Sequence, residues 1–179
     1  MRRLIPIGVG VLVLTCSPAM AQARGDVSAG YRFLKSEGLS YPAGWYVDAT
    51  GHIGSVISIV GDVGGTYKSD SLSLGSFEQS LDARIYTFLG GVRVSASTRD
   101  PEVIVFGKAL FGAANLRTTT TSLGITLSRT STEPALSLGG GVDVNDLPIG
   151  VRVQMAWLRV FEQVGSNAFH FSIGAKFDF

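Results

Sequence analysis

From Phe169 to Phe179 the chain alternates without exception: Phe169, Phe171, Ile173, Ala175, Phe177 and Phe179 at the odd positions, His170, Ser172, Gly174, Lys176 and Asp178 at the even ones. Side chains of a strand point alternately to its two faces, so this period makes a ribbon that is apolar on one side and polar on the other. A ribbon of that kind needs neighbours for its backbone and an apolar phase along one whole face.

Seven earlier segments carry the same period. Val27, Ala29, Tyr31 and Phe33 oppose Ser28, Gly30 and Arg32; Trp45, Val47, Ala49 and Ile53 oppose Tyr46, Asp48, Thr50 and His52; Ile57, Ile59, Val63 and Tyr67 oppose Ser58, Asp62, Thr66 and Lys68. A fourth sets Tyr86, Phe88, Val92 and Val94 against Thr87, Arg93 and Ser95, with Ile85 and Leu89 blurring its polar face. The fifth, from Val103 to Ala114, is the least regular, because Ile104, Phe106 and Leu110 share a side with Lys108. Leu136, Leu138, Val142 and Val144 then oppose Ser137, Asp143 and Asn145, and Ile149, Val151, Val153, Met155 and Trp157 oppose Arg152 and Gln154. Eight strands are expected.

Their connections alternate in length. Gly54-Ser55, the stretch Thr98 to Glu102 and Asp146-Leu147-Pro148 are tight turns rich in Gly, Pro and Asp, whereas 35–43, 69–80 and 116–133 are long. In an up-and-down barrel this places every short turn at one end. The last long stretch, with Thr118 to Thr121 and then Leu123, Ile125 and Leu127, keeps enough alternation to suggest that its two strands continue as a hairpin.

Alternation does not say which face points out, since a soluble lipocalin-like binder has the same period with its apolar face inside. Composition bears on the choice. Charged residues are 16% of the chain, below the ~25% of ordinary soluble domains, and glycine is 23 of 179 residues. No segment after the first twenty residues is long and apolar enough for a membrane helix, which leaves a closed barrel as the structure that satisfies its backbone within lipid. Tyr31, Phe33, Trp45, Trp157, Phe161, Phe169, Phe177 and Phe179 fall near strand ends, where the aromatic girdles of membrane barrels lie. The apolar face is therefore expected outside.

Met1-Arg2-Arg3, the apolar run Leu4 to Leu14 and the small-residue site ending at Ala21 read as a secretory signal peptide over residues 1–21, with the barrel domain over 22–179. Cys16, the only cysteine, lies in that signal, and Thr15 before it is bulkier than a lipidation site favours. Removing Arg2 and Arg3 leaves 13 basic against 14 acidic residues, a balance that offers no broad footprint for nucleic acid.

The signal, the eight strands, the loop asymmetry and the terminal Phe177-Asp178-Phe179 resemble the small outer-membrane β-barrel family of the OmpA/OmpX type. The resemblance implies an all-β, eight-stranded antiparallel up-and-down transmembrane β-barrel in the bacterial outer membrane, in contact with outer-membrane lipid. It implies that Phe179 is read by the barrel-assembly machinery, and that loops 35–43, 69–80 and 116–133 face outward, where an extracellular ligand could meet them. Family members that bind peptidoglycan carry a second domain after the barrel, and none follows Phe179 in this sequence.

The polar face then lines the lumen with Arg32, His52, Asp48, Asp62, Lys68, Arg93, Lys108, Asp143, Arg152, His170, Lys176 and Asp178. Eight strands enclose little more than their own side chains, and a lone buried ion costs several kcal/mol, so a lumen filled by paired charges is expected. The functional expectation is a structural or surface-interaction protein, not an enzyme. The first alternative is a narrow passive pore, for which Gly30, Gly64, Gly139, Gly141 and Gly174 leave room on the inner face. A second alternative is a lipid A-modifying enzyme, because His170-Phe171-Ser172 is similar to the His-x-Ser pairing of lipid A deacylases, with Glu162 as orienting acid. Parity argues against it, since His170 and Ser172 share the inner face while an acyl chain would arrive beside Phe169 and Phe171. No catalytic, cofactor-binding or metal site is expected, and no His or carboxylate cluster has ligand spacing.

Overall fold

The computed structural model describes residues 25–179 apart from 37–38, 75–76, 99–101, 123–124, 146–148 and 162–165. The signal expected at 1–21 and Glu162 lie outside the described residues. The strands are β1 (Gly25–Ser36), β2 (Leu39–Tyr41), β3 (Ala43–His52), β4 (Ile57–Leu74), β5 (Phe77–Ser97), β6 (Val103–Ser122), β7 (Ile125–Val144), β8 (Gly150–Val160) and β9 (Ser166–Asp178). Each pairs antiparallel with its neighbour along the chain, β2 and β3 both on β1, and β9 closes on β1 from Asp26↔Asp178 to Ser36↔Ala168. Gly25 and Phe179 exchange backbone hydrogen bonds of 3.0 and 2.9 Å at the seam. All backbone edges within this wall are paired, as a membrane barrel requires.

Nine strands make eight staves, because β2 and β3 are one stave broken at Pro42. β1 pairs with β3 as far as Tyr31↔Trp45 and with β2 from Leu34↔Tyr41, so residues 32–33 stand against 42–44. The extra residue is a bulge, and Pro42, which has no N–H to give, sits where the ladder yields. The bulge reverses parity, so that Tyr41 and Tyr46 both face inward.

The expected face assignment holds. Burial alternates along each stave, with Arg32, Asp48, Asp62, Arg93, Lys108, Asp143, Arg152, His170 and Lys176 buried, while Phe88, Phe111 and Met155 are 55%, 61% and 62% exposed on the outside. The lipocalin-like arrangement is thereby reversed. The short turns and both strand termini Gly25 and Asp178 gather at one end.

The hairpin expected at 116–133 is found, whereas 35–43 and 69–80, expected as loops, differ. β4 and β5 pair up to Leu74↔Phe77, β6 and β7 up to Ser122↔Ile125, and β5 and β6 up to Gln79↔Ser122. The described residues 69–74, 77–80, 116–122 and 125–133 therefore belong to strands of a four-stranded sheet, and 35–43 holds the end of β1 and all of β2. The sheet projects beyond the closed wall, since β3 leaves β4 at Ala43↔Tyr67 and β8 leaves β7 at Ala135↔Val160. Thr-rich sequence favours strands, and in 116–133 the residual alternation was enough to read, whereas Ser69 to Ser80 gave none.

Candidate functional site

The lumen is built in two layers. In the half nearer the short turns, Arg152 of β8 sits among three carboxylates, donating from Nε to Asp143 Oδ1 at 2.7 Å, from Nη1 to Asp48 Oδ1 at 2.6 Å and from Nη2 to Asp26 Oδ1 at 2.7 Å. A planar guanidinium can fork to several acceptors at once, which an ammonium cannot. Arg93 completes Asp143 at 2.6 Å and lies 3.8 Å over the ring of Phe106. Above them Arg32 grips Asp62 with both terminal nitrogens, at 3.0 and 2.7 Å, and Lys108 bridges Asp62 and Asp48 at 3.3 and 3.5 Å. Lys176 meets Asp178 at 2.7 Å at the mouth. The charges are thus neutralised pair by pair.

The inward glycines serve close packing rather than a channel. A Cβ on Gly64 would collide with the guanidinium of Arg32, and one on Gly174 would lie 2.6 Å from the Tyr46 hydroxyl. The space that the sequence left open is filled by those two side chains.

In the other half the lumen is apolar. Leu34, Leu89, Leu110, Ala114, Ala135, Leu158, Val160 and Ala168 form one buried cluster, capped by Tyr41, with Ile85 and Leu116 against it. The residues that spoiled the alternation of the fourth and fifth segments are accounted for here. Ile85, Leu89 and Leu110 belong to this plug, Phe106 lies against Arg93 and Arg152, the latter's guanidinium 5.3 Å from its ring centre, and Ile104 lines the short-turn mouth. Where the layers meet, among Arg32, Leu34, Leu89, Leu158 and His170, a void of only about 10 Å³ remains, near the lower limit for one water. At the short-turn end a vestibule of about 480 Å³ opens, lined by Asp26, His52, Ser58, Arg93, Ser95, Asn145, Lys176 and Asp178. Its inner lining includes Asp26 and Arg93, the partners of the Arg152 cage.

His170 and Ser172 face inward, as parity predicted. They do not form a pair: His170 Nε2 lies 3.5 Å from Ser137 Oγ, and Ser172 Oγ accepts from Arg32 Nε at 3.2 Å. Ser172 is fully buried, with no path for an acyl chain. His52 sits at the vestibule rim, bonded to Ser58 at 2.7 Å. Asp178 is more exposed than expected, its side chain 56% open, because it sits at the mouth. Asp26, missed in the sequence because it precedes the first clear alternation, belongs to the Arg152 cage. Among the described residues no cluster of three His, Cys, Asp or Glu side chains is placed to hold a metal.

On the outer wall, Trp45 Nε1 donates to the Tyr67 hydroxyl at 2.8 Å, and Tyr67 meets Tyr86 edge to face at 5.9 Å. With Tyr31 these rings make a belt at the hairpin end. Below the belt the outward positions of the described strands are uncharged; above it come Lys35, Arg84, Arg117 and Arg159, with Arg84 and Arg117 directly opposed across β5 and β6.

No protein-family model matches the chain, and no curated protein does. Solved structures match it well. Ail, the attachment invasion locus protein of Yersinia pestis, superposes with a TM-score of 0.63 at 16% identity, over 88% of this chain and 99% of that one. A major outer membrane protein from Thermus thermophilus gives 0.64 at 12% identity, over 88% and 100%. The fold is that of the small outer-membrane eight-stranded β-barrels. The Escherichia coli outer membrane protease OmpT also matches, with a TM-score of 0.51 at 10% identity over 87% and 96%, so this likeness in fold does not decide activity.

Proposed function

We propose that the chain is an outer-membrane β-barrel protein with a sealed lumen, a rigid scaffold whose projecting hairpins make contacts at the cell surface. The observation that carries this reading is the closure of the lumen by two unlike layers. Charges tied to one another around Arg152 leave, among the described residues, the uncharged Thr50, Thr66 and Gln154 as buried side chains without a hydrogen-bond partner, and the Leu89, Leu110 and Leu158 plug offers a permeating ion nothing to replace its water. The apolar outer band, the aromatic belt and the cations above it support contact with outer-membrane lipid, the belt marking the interface. That Ail, a structural neighbour, is named for attachment accords with a surface role. Recognition of Phe179 by assembly machinery belongs to the same reading; the residue is 74% exposed at the rim of the vestibule, beside the seam with Gly25.

Reconstitution into a planar lipid bilayer tests the closure: no discrete conductance steps are expected, and reproducible ohmic steps would overturn it in favour of a pore. The geometry of His170 and Ser172 supports a non-enzymatic role. Purified barrel mixed with lipopolysaccharide should release no fatty acid, whereas release that disappears in His170→Ala would establish the enzyme instead.

A further inference from the structure

Two arginines are held side by side on the outer wall. Arg84 of β5 stands directly opposite Arg117 of β6, both exposed, in a row that runs from Tyr67 of β4 through the two arginines to Thr130 of β7. Directly opposed strand residues begin about 5 Å apart, and like charges placed so repel. Their polar neighbours on the same face are matched. Asn115 donates to Thr132 at 2.8 Å, Thr119 and Ser128 lie 3.3 Å apart, and the Ser69 hydroxyl donates to Asp82. Among the described residues neither guanidinium has a carboxylate in ion-pair range. Asp82, Arg84, Arg117 and Thr119 together line a surface pocket of about 160 Å³. An opposed pair of this kind costs the fold stability by itself, and it becomes favourable when an anion with several oxygens takes a forked pair of N–H groups from each side.

Height on the wall selects the anion. Tyr86 lies next below Arg84 on the same face, and Tyr67, beside Arg84, accepts from Trp45. The pair therefore sits at the outer edge of the aromatic belt, and the outward positions of the described strands below it are uncharged. That is the level of lipid headgroups. The row above, Ser69, Asp82, Thr119 and Ser128, carries hydroxyls and one carboxylate. A carboxylate beside a phosphate site is out of place unless the ligand also brings hydroxyl donors, as a sugar does.

We propose that Arg84 and Arg117 together hold the phosphate of a phosphorylated glycolipid in the outer leaflet, with Asp82 and Thr119 accepting from the sugar hydroxyls beside it. This rests on the proposed outer-membrane location and adds to it the class of lipid bound and the side chains that bind it. A sealed lumen is not required: conductance steps in a bilayer would leave this site intact, and failure of lipid binding would leave the sealed scaffold standing.

Native mass spectrometry of the barrel released from neutral detergent micelles, titrated with lipid A, tests it. Arg84→Gln and Arg117→Gln should each weaken the lipid adduct about tenfold, and lipid A stripped of its phosphates should bind the native barrel as poorly. Phosphatidic acid, which offers a phosphate without a sugar, should bind about tenfold more weakly than lipid A, and Asp82→Ala should narrow that difference. Arg159→Gln serves as the control, since Arg159 lies over the Phe161 ring at 5.8 Å on another part of the wall. A loss there as large as at Arg84 would replace the site by a general attraction of the belt for anions. Full displacement of lipid A by millimolar inorganic phosphate would make it a free-anion site, and equal binding of phosphatidic acid would overturn the sugar contact. Folding of each variant is checked by heat-dependent gel mobility. Without lipid, either arginine variant should unfold at the same or a higher urea concentration than the native chain, because it relieves the repulsion. A lower midpoint would show that the pair serves the fold instead, and would sink the proposal.

Discussion

Arg152 is the residue on which the lumen's charges converge, and its removal is the sharpest test of the cage. Asp26 and Asp48 each accept one of its N–H groups and Asp143 accepts two, at 2.6–2.8 Å, and all three are almost wholly buried. Arg152→Met would keep much of the side chain's bulk and leave three carboxylates short of their common partner. Breaking a buried ion pair by deleting one partner costs roughly 3–5 kcal/mol, so the urea midpoint of the folded barrel should fall sharply. Trp45 and Trp157, both on the outer wall, report the transition by fluorescence; an unchanged midpoint would show that the cage contributes nothing. Arg152→Lys should fall between the two, since an ammonium keeps the charge and loses the fork. The inward direction of these residues was legible from parity alone. Their partners were not, because Arg152 bonds to residues 104 and 126 positions away, and who faces whom across a barrel is set by closure and stagger rather than by spacing along the chain.

At the scale of the strands, the barrel is complete below the level where β8 leaves β7, and what lies above is an extension of four strands. The sequence showed the membrane part clearly, because lipid on one side and paired charges on the other impose a strict period of two. It showed the extension only in part: with water on both sides the constraint is weaker, so that residual alternation pointed to the hairpin at 116–133 while 69–80 read as a loop. The break at Pro42 was illegible for a related reason, since a bulge shifts the period by one and reads as a loop. An expected outcome separates scaffold from extension. Replacing residues 117–130 by Asn-Gly would join Leu116 to Ser131, which already face each other, through a two-residue turn suited to hairpins. The shortened chain should keep its heat-dependent gel mobility, with an unfolding free energy from urea titration within about 1 kcal/mol of the native one, because loop length itself costs little. A chain that no longer folded would mean that the extension nucleates the barrel.

Taken as a whole, the lumen is a graded environment, hydrated at the short-turn mouth, ionic in the middle and apolar towards the hairpins. Packing explains the order. Eight staves leave room for one layer of large side chains at each level, so the ions pair with one another, with the Phe106 ring stacked on Arg93, and the aliphatic side chains pack together towards the hairpins. The gradient has a measurable consequence. Cys16 is the only cysteine of the chain, so single cysteines in a Cys16→Ser background can be followed one at a time with a small water-soluble thiol reagent. Ser95→Cys and Ser97→Cys line the vestibule of about 480 Å³ and should react freely. Ala114→Cys and Ala135→Cys replace fully buried side chains of the plug and can react only when that layer opens. An opening free energy of about 3 kcal/mol slows such a reaction at least about a hundredfold. A pore would give a different profile, with inward positions modified at similar rates from mouth to hairpin. Equal rates at Ser97→Cys and Ala114→Cys would therefore place water throughout the lumen, and the sealed scaffold would give way to a channel.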